Sequence, residues 1–291
     1  RQMCIRDRIM TPRDFVQQPK RWVDQLKRQP IDAQLQGTYA VVPNFALELA
    51  ARYGAPAAGE ELDLSNVEGI IIGSEPVTES AVNAFWETFG KEEYGLRRET
   101  LRPSYGMAEA SLIVTTPQTP ERPIISHFDR ERLAHGEAVI VEKSEDSVAY
   151  ASCGQSVVAQ DLTIVDPETR AELADGHVGE IWLHGENRAA GYLGRDEETA
   201  STFHNTLGKR LAEGSRVANA PDDNNWLATG DLATIVDNQV YITGRLKDLI
   251  VVAGRNHYPQ DIEGTVQEAS AHVRADSIAA FSVEGSNTEE L

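Results

Sequence analysis

The sequence predicts an α/β fold that becomes β-rich in its second half, and three observations carry that reading. Residues 67–72 form an apolar, β-branched run ending at Gly73-Ser74-Glu75-Pro76, and a helical pattern starts directly afterwards at Thr78. From residue 162 onward, short apolar runs punctuated by turn residues replace helical periodicity. Within that part, Asp237-Asn238 separates the runs 232–236 and 240–243, which reads as a hairpin.

In chain order, residues 1–8 read as unrelated to the remainder of the sequence. The first residue is Arg1 rather than Met, so this segment is expected to be a remnant of assembly or expression. Thr11-Pro12 followed by Asp14 is a helix start, with a capping hydroxyl, a proline in the first turn and an acid facing the helix dipole. Pro19 restarts the pattern, and Trp22, Val23 and Leu26 supply an apolar stripe. The helix capped by Thr78 presents Ala81, Val82, Phe85, Trp86 and Phe89 and stops at Gly90. Ligand sites of open α/β sheets lie beyond the carboxyl ends of strands, which makes the loop 73–76 a candidate wall, although Gly-x-x-Pro is also an ordinary turn.

Residues 117–150, with Pro117, Pro120, Pro123 and many charges, are expected to be an irregular insertion packed on the surface. Strands come next at 162–165 and 179–185, joined through the turn Asp166-Pro167-Glu168-Thr169. A new unit begins at 248–252, punctuated by Gly254 and Pro259, and places a domain boundary at 244–247. Residues 277–283 read as a strand, and 284–291 trail off without a packed element.

With 27 basic and 46 acidic side chains the formal charge is -19, which opposes nucleic acid and anionic lipid as partners. A local phosphate site is compatible with that field, since distant charges are screened over roughly 8 Å. Cys4 and Cys153 are the only cysteines, in neither a disulfide pattern nor a zinc-ligand pattern, which implies a reducing cytoplasm. No apolar run approaches the roughly 20 residues that span a bilayer. The Walker phosphate loop, the dinucleotide fingerprint, the nucleophile elbow and the His-Glu-x-x-His pair are all missing, and the seven histidines are scattered.

Three polar clusters remain: Tyr105-Gly106-Met107-Ala108-Glu109, Thr229-Gly230-Asp231 and Gly244-Arg245-Leu246-Lys247-Asp248, all expected on loops at strand ends. Singly they read as a turn, a cap and a solvated charge cluster. In this order, with the stretch 176–185 and the run 254–259 ending at Pro259, they resemble the adenylate-forming superfamily of acyl ligases, luciferases and peptide-synthetase adenylation domains. Within it, 254–259 and Gly73-Ser74-Glu75-Pro76 look most like the fatty-acyl-AMP ligase branch, and most of all like the long-chain ligases that serve actinobacterial mycolic-acid synthesis.

The resemblance implies the C-terminal part of a large adenylate-forming domain, then the start of a small α+β domain: an α/β subdomain at 9–116, a branch-specific insertion at 117–150, a β-rich subdomain at 151–244 and a mobile domain from 245. It implies ATP and Mg²⁺ as cofactors, a long-chain fatty acid as substrate, and a polyketide-synthase acyl carrier domain as recipient of the acyl group. Glu109, Arg245 and Lys247 become the catalytic residues, with Glu109 on the metal and Lys247 at the domain pivot. Gly73, Ser74, Glu75, Pro76, Tyr105, Gly106, Met107, Asp231 and Arg245 become the nucleotide-binding set, Tyr105 stacking on adenine and Asp231 accepting from the ribose hydroxyls. The family's Ser/Thr/Gly-rich phosphate loop and its C-terminal lysine are not in the chain, so the 291 residues alone are expected not to form acyl-AMP. Two other readings stand beside this one: an acyl-CoA ligase on the same scaffold, separated by whether 117–150 is a packed insertion, and a remnant that binds nucleotide or carrier without chemistry.

Overall fold

The computed structural model describes residues 7–27, 37–157, 160–252, 255–269, 272–273, 277–284 and 289–290. Most of the opening segment 1–8, Cys4 and Gly254 lie outside these residues. Packing divides the chain into two compact units, the first made of Arg1–Gly106, Thr116–Ile125 and Ala151–Cys153 and the second of the remainder.

The first unit is α/β. Its elements are α1 (Pro12–Gln17), α2 (Lys20–Leu26), β1 (Thr38–Pro43), α3 (Asn44–Tyr53), β2 (Val67–Gly73), α4 (Glu79–Phe89), β3 (Leu101–Pro103) and the short β4 (Tyr105–Gly106). Strands β1, β2 and β3 pair in parallel in that order, with Val42 beside Ile72 and Ile72 beside Pro103. Parallel neighbours need crossover connections, and α3 and α4 lie in them. Both expected caps form: Thr11 Oγ1 accepts from the Asp14 amide at 3.1 Å, and Thr78 Oγ1 from the Ala81 amide at 3.2 Å. Leu47, Ala50, Ile70, Ile72, Val82 and Phe85 are buried in one core, where the Phe85 and Phe89 rings sit 4.7 Å apart. Gly90 ends α4 as the sequence predicts, but for a different reason. Its φ is -82°, outside the left-handed region, and a Cβ there would stand 2.4 Å from the Trp86 ring, so the position needs a missing side chain rather than backbone freedom.

The second unit is mostly antiparallel. It carries β5 (Ile113–Thr116), β6 (Ile125–Asp129), α5 (Arg130–Ala134), β7 (Ile140–Val141), β8 (Ser147–Ala151), β9 (Gln155–Ser156), β10 (Gln160–Val165), β11 (Gly179–Gly185) and α6 (Asp196–Phe203). After them come β12 (Leu227–Val236), β13 (Gln239–Arg245), β14 (Ile250–Val252), β15 (Arg255–His257), α7 (Pro259–Ala269), β16 (Val283–Glu284) and β17 (Glu289–Glu290). The meander β10-β11-β12-β13 forms its main sheet. The predicted hairpin joins β12 to β13, and Asp237 and Asn238 have φ values of 51° and 61°, the left-handed pair that a two-residue type I′ turn requires.

The structure corrects the expectations for two stretches of the fold. The stretch 117–150 is regular from Ile125 onward: β6, β7 and β8 form a sheet in the order β7-β6-β8, with α5 between β6 and β7. Phe128, Leu133 and Ala138 from this stretch are buried with Leu232, Tyr241 and Tyr258, so its prolines and charges conceal an apolar contribution to the core. The run 277–283 is not a strand, since only Val283 enters β16. Phe281 is 67% exposed, so the apolar run has not found the burial that would fix it as a strand.

Candidate active site

The residues singled out from the sequence fall in both units. In the first, Gly73 closes β2, and a Cβ there would lie 3.0 Å from the carbonyl oxygen of Ser104, whose amide donates to the Ile72 carbonyl at 2.8 Å. The loop after β2 is thereby brought against the residue preceding Tyr105. Ser74 takes a φ of 68°, and Ser74, Glu75 and Pro76 are exposed. Glu75 has a structural partner: its Oε1 accepts from the Phe45 amide at 2.7 Å, placing a carboxylate on the first turn of α3, where the helix dipole favours it. Tyr105 and Gly106 form β4, with Tyr105 half-buried and Gly106 exposed.

In the second unit Met107 precedes a short 3₁₀ turn, Ala108–Ala110, that carries Glu109. This turn is laced to the segment after β11. The Ala189 amide donates to the Glu109 carbonyl at 2.7 Å, Ser111 Oγ donates to the Asn187 carbonyl at 2.8 Å, and the Tyr192 hydroxyl donates to Glu109 Oε1 at 2.6 Å. Tyr192 is itself fixed. Its amide donates to Thr199 Oγ1 at 2.9 Å, its ring meets Phe203 edge-on at 5.2 Å, and Gly191 precedes it with φ 142°, where a Cβ would collide with Thr199. Burial, and then the hydrogen bond to Glu109, push the Tyr192 hydroxyl up to about 12.

Thr229, Gly230 and Asp231, expected on a loop, lie instead inside β12. They form a bulge there. Trp182 on β11 is opposite Ala228 while Glu180 is opposite Leu232, so three residues of β12 span one of β11. Gly230 has a φ of 73°, which a glycine adopts without strain. Such bulges twist a strand and re-aim its side chains. On the other edge of β12, Asp231 is directly opposite Arg245, the last residue of β13, and Arg245 Nε lies 3.4 Å from Asp231 Oδ1. The Asp231 side chain is 16% exposed and that of Arg245 61%. Lys247 stands exposed in the 3₁₀ turn Leu246–Asp248 between β13 and β14.

Two residues given no role by sequence reasoning are Tyr192 and Glu180. Glu180 left a signal, an acid inside the apolar run of β11, where only an inward-facing, hydrogen-bonded carboxylate is tolerated. Tyr192 left none, because its partner is 83 residues away. Among the described residues no group of three or more His, Cys, Asp or Glu side chains could hold a metal ion, and no helix is long and apolar enough to cross a membrane.

Asp231 and Arg245 thus pair across two adjacent strands of the second unit, and the half-buried Glu109 lies on a turn of the same unit. Residues 8–193 match the AMP-binding enzyme family, and the chain belongs to it. It is 47% identical over 277 residues to the long-chain-fatty-acid–AMP ligase FadD32 of Mycobacterium marinum, covering 94% of this chain and 43% of that protein. To the long-chain-fatty-acid–AMP ligase FadD26 of Mycobacterium tuberculosis it is 38% identical over 287 residues, covering 97% and 45%. Among solved structures it is similar to one from a study of fatty acyl-adenylate ligases of E. coli and L. pneumophila, with TM-score 0.74, 28% identity, and coverage of 92% of this chain and 44% of that one. It is also similar to the L. pneumophila fatty acyl-adenylate ligase in complex with acyl adenylate and pyrophosphate, with TM-score 0.68, 31% identity, and coverage of 95% and 45%. The fold is that of the adenylate-forming enzymes, and the chain spans less than half the length of the curated relatives it matches.

Proposed function

We propose that the chain is part of a ligase that activates a long-chain fatty acid with ATP and passes the acyl group to the phosphopantetheine thiol of a carrier protein. The observation that carries the reading is the bulge of β12, next to which Asp231 stands opposite Arg245, pairing a carboxylate acceptor with a forked cation across two adjacent strands. In this reading Asp231 accepts from the ribose hydroxyls and Arg245 reaches the ribose or the α-phosphate. Tyr105 stacks on adenine, with Gly106, Met107 and the loop Gly73, Ser74, Glu75 and Pro76 as nucleotide-contacting backbone. The substrate carboxylate oxygen bonds to the α-phosphorus while the α–β phosphoanhydride bond breaks, and pyrophosphate leaves with the electron pair.

Glu109 suits a magnesium ion that takes its remaining ligands from phosphate oxygens and water, because Mg²⁺ needs few protein carboxylates and the Tyr192 hydroxyl engages Oε1 of Glu109 rather than both oxygens. Bound there, the ion would neutralise charge that develops on the phosphates. Lys247, exposed in its short turn, is assigned to the pivot between adenylation and transfer, and residues from 245 onward to the mobile domain.

The acyl-CoA reading is disfavoured by the packing of 125–150. Tyr258 donates through its hydroxyl to the Leu133 carbonyl at 3.4 Å, and Arg130 pairs with Asp261, so this stretch holds residues beyond the proposed pivot. Pyrophosphate exchange with the full-length protein tests the activity. Exchange that depends on a long-chain fatty acid, with product carried to a holo-carrier protein, is expected. Exchange driven only by amino acids or short acids would refute the substrate class.

A further inference from the structure

The bulge in β12 is closed by one buried carboxylate. Glu180 on β11 is 7% exposed, and its Oε1 accepts from the Gly230 amide at 2.7 Å, the amide at the apex of the bulge. Its Oε2 accepts from the indole Nε1 of Trp182 at 2.8 Å. Trp182 is two residues along the same strand, hence on the same face, and is itself 2% exposed, so the indole fixes the plane of the carboxylate. Thr229 completes the closure: its hydroxyl donates to the Ile181 carbonyl at 2.9 Å and accepts from the Asp231 amide at 3.1 Å.

The regular ladder on either side already joins β11 to β12, so a charged group is not needed to hold the strands together. What the ladder cannot do is satisfy an amide turned out of register. A buried donor without a partner is costly, and Gly230, at φ 73° and outside the β11 register, donates its amide to the Glu180 side chain. A carboxylate reaching up from β11 meets that donor, and the residue immediately after it is Asp231. We propose that Glu180 is a positioning residue that locks the bulge in the one conformation presenting Asp231 opposite Arg245 for the nucleotide ribose. The proposal rests on the assignment of Asp231 to the ribose.

A double-mutant cycle on the full-length protein separates the two claims, with ATP affinity measured by equilibrium binding and folding followed by thermal unfolding. Asp231→Ala and Glu180→Ala are each expected to weaken ATP binding at least about tenfold, since a hydrogen bond to a charged group is at stake. Combined, they should weaken it no more than about twofold beyond the worse single variant, because Glu180 acts only through Asp231. Independent effects that multiply would overturn the proposal. So would unchanged ATP binding in Glu180→Ala alongside a loss in Asp231→Ala, a result that leaves the ribose assignment standing. Unchanged binding in Asp231→Ala would instead remove the ribose assignment and the proposal with it. If Glu180→Ala does not fold, Glu180→Gln replaces it in the same cycle, since glutamine has the same shape but a single acceptor oxygen for two donors. In this 291-residue chain, amide exchange at Gly230 should speed up at least about tenfold on the Glu180 substitution, and an unchanged rate would equally overturn the proposal.

Discussion

Tyr192 and Glu109, 83 residues apart in sequence, are joined by a 2.6 Å hydrogen bond from the phenolic hydroxyl to the carboxylate. The ring that delivers this hydroxyl is packed on Phe203 and tied through its amide to Thr199. Glu109 is therefore held by a rigid donor while its own short turn is stitched to residues 187–189.

Replacing Tyr192 by Phe keeps the packed ring and removes only the donor. Stability of the chain in urea is expected to fall by about 1.5 to 3 kcal/mol, the range for a hydrogen bond to a charged group. A midpoint and slope indistinguishable from the parent would mean that the contact contributes nothing in solution.

Arg245→Ala should separate binding from folding. Its ion pair with Asp231 is largely exposed on the arginine side, and such pairs contribute roughly 0 to 1 kcal/mol, so thermal unfolding should barely move. ATP affinity of the full-length protein should drop about tenfold or more, with Arg245→Lys between the two because it keeps the charge and loses the fork. Equal losses in stability and binding would argue that the arginine is structural.

Gly90→Ala forces a methyl group to within 2.4 Å of the Trp86 ring and 2.6 Å of its carbonyl oxygen. Overpacking of this kind costs about 1 to 3 kcal/mol. Calorimetry should record a lower unfolding temperature, and a neutral or stabilising result would contradict the close approach at the end of α4.

Tyr258 supplies a pH dependence. Its hydroxyl is pushed up to about 12, mainly by burial, from the ordinary tyrosine value of 10.0. The folded state holds this proton more tightly than the unfolded state, so its contribution is complete below about pH 10 and is lost as pH rises toward about 12, a loss of about 3 kcal/mol over that window. Tyr258→Phe should flatten the fall in stability across that range. If the two proteins lose stability in parallel there, Tyr258 is not the group responsible.

The tethers from α5 can be cut without emptying the core. Arg130 pairs with Asp261, and Glu131 Oε1 lies 3.7 Å from Arg255 Nη2. In the full-length protein, Arg130→Ala with Glu131→Ala is expected to raise acyl-CoA formation relative to carrier loading, since less then restrains the residues beyond the proposed pivot. A parent enzyme that already makes acyl-CoA as fast as it loads a carrier would refute this role.

Local signals were legible where the physics is local. The caps at Thr11 and Thr78, the strand at β2 and the Asp237-Asn238 hairpin each depend on a few adjacent residues and could be read directly. The order of β6, α5, β7 and β8 could not, because Phe128 and Leu133 are buried by Tyr241 and Tyr258, more than a hundred residues further on, rather than by anything within their own proline-rich surroundings. The candidate site divides in the same way. Its polar clusters stood out as residue types, whereas the bulge that holds Asp231 arises from a register mismatch between β11 and β12, which no single strand encodes.

The placement of the four tryptophans carries an optical consequence. Trp22 and Trp86 belong to the first unit, and Trp182 and Trp226 to the second. The latter pair are 2% and 0% exposed, and the Trp182 indole donates to Glu180 beneath the β12 bulge. With Trp22 and Trp86 exchanged for phenylalanine, the remaining emission would come from the β-rich unit alone, shifting to the red as it opens and reporting, without any added label, on the strand that carries Asp231.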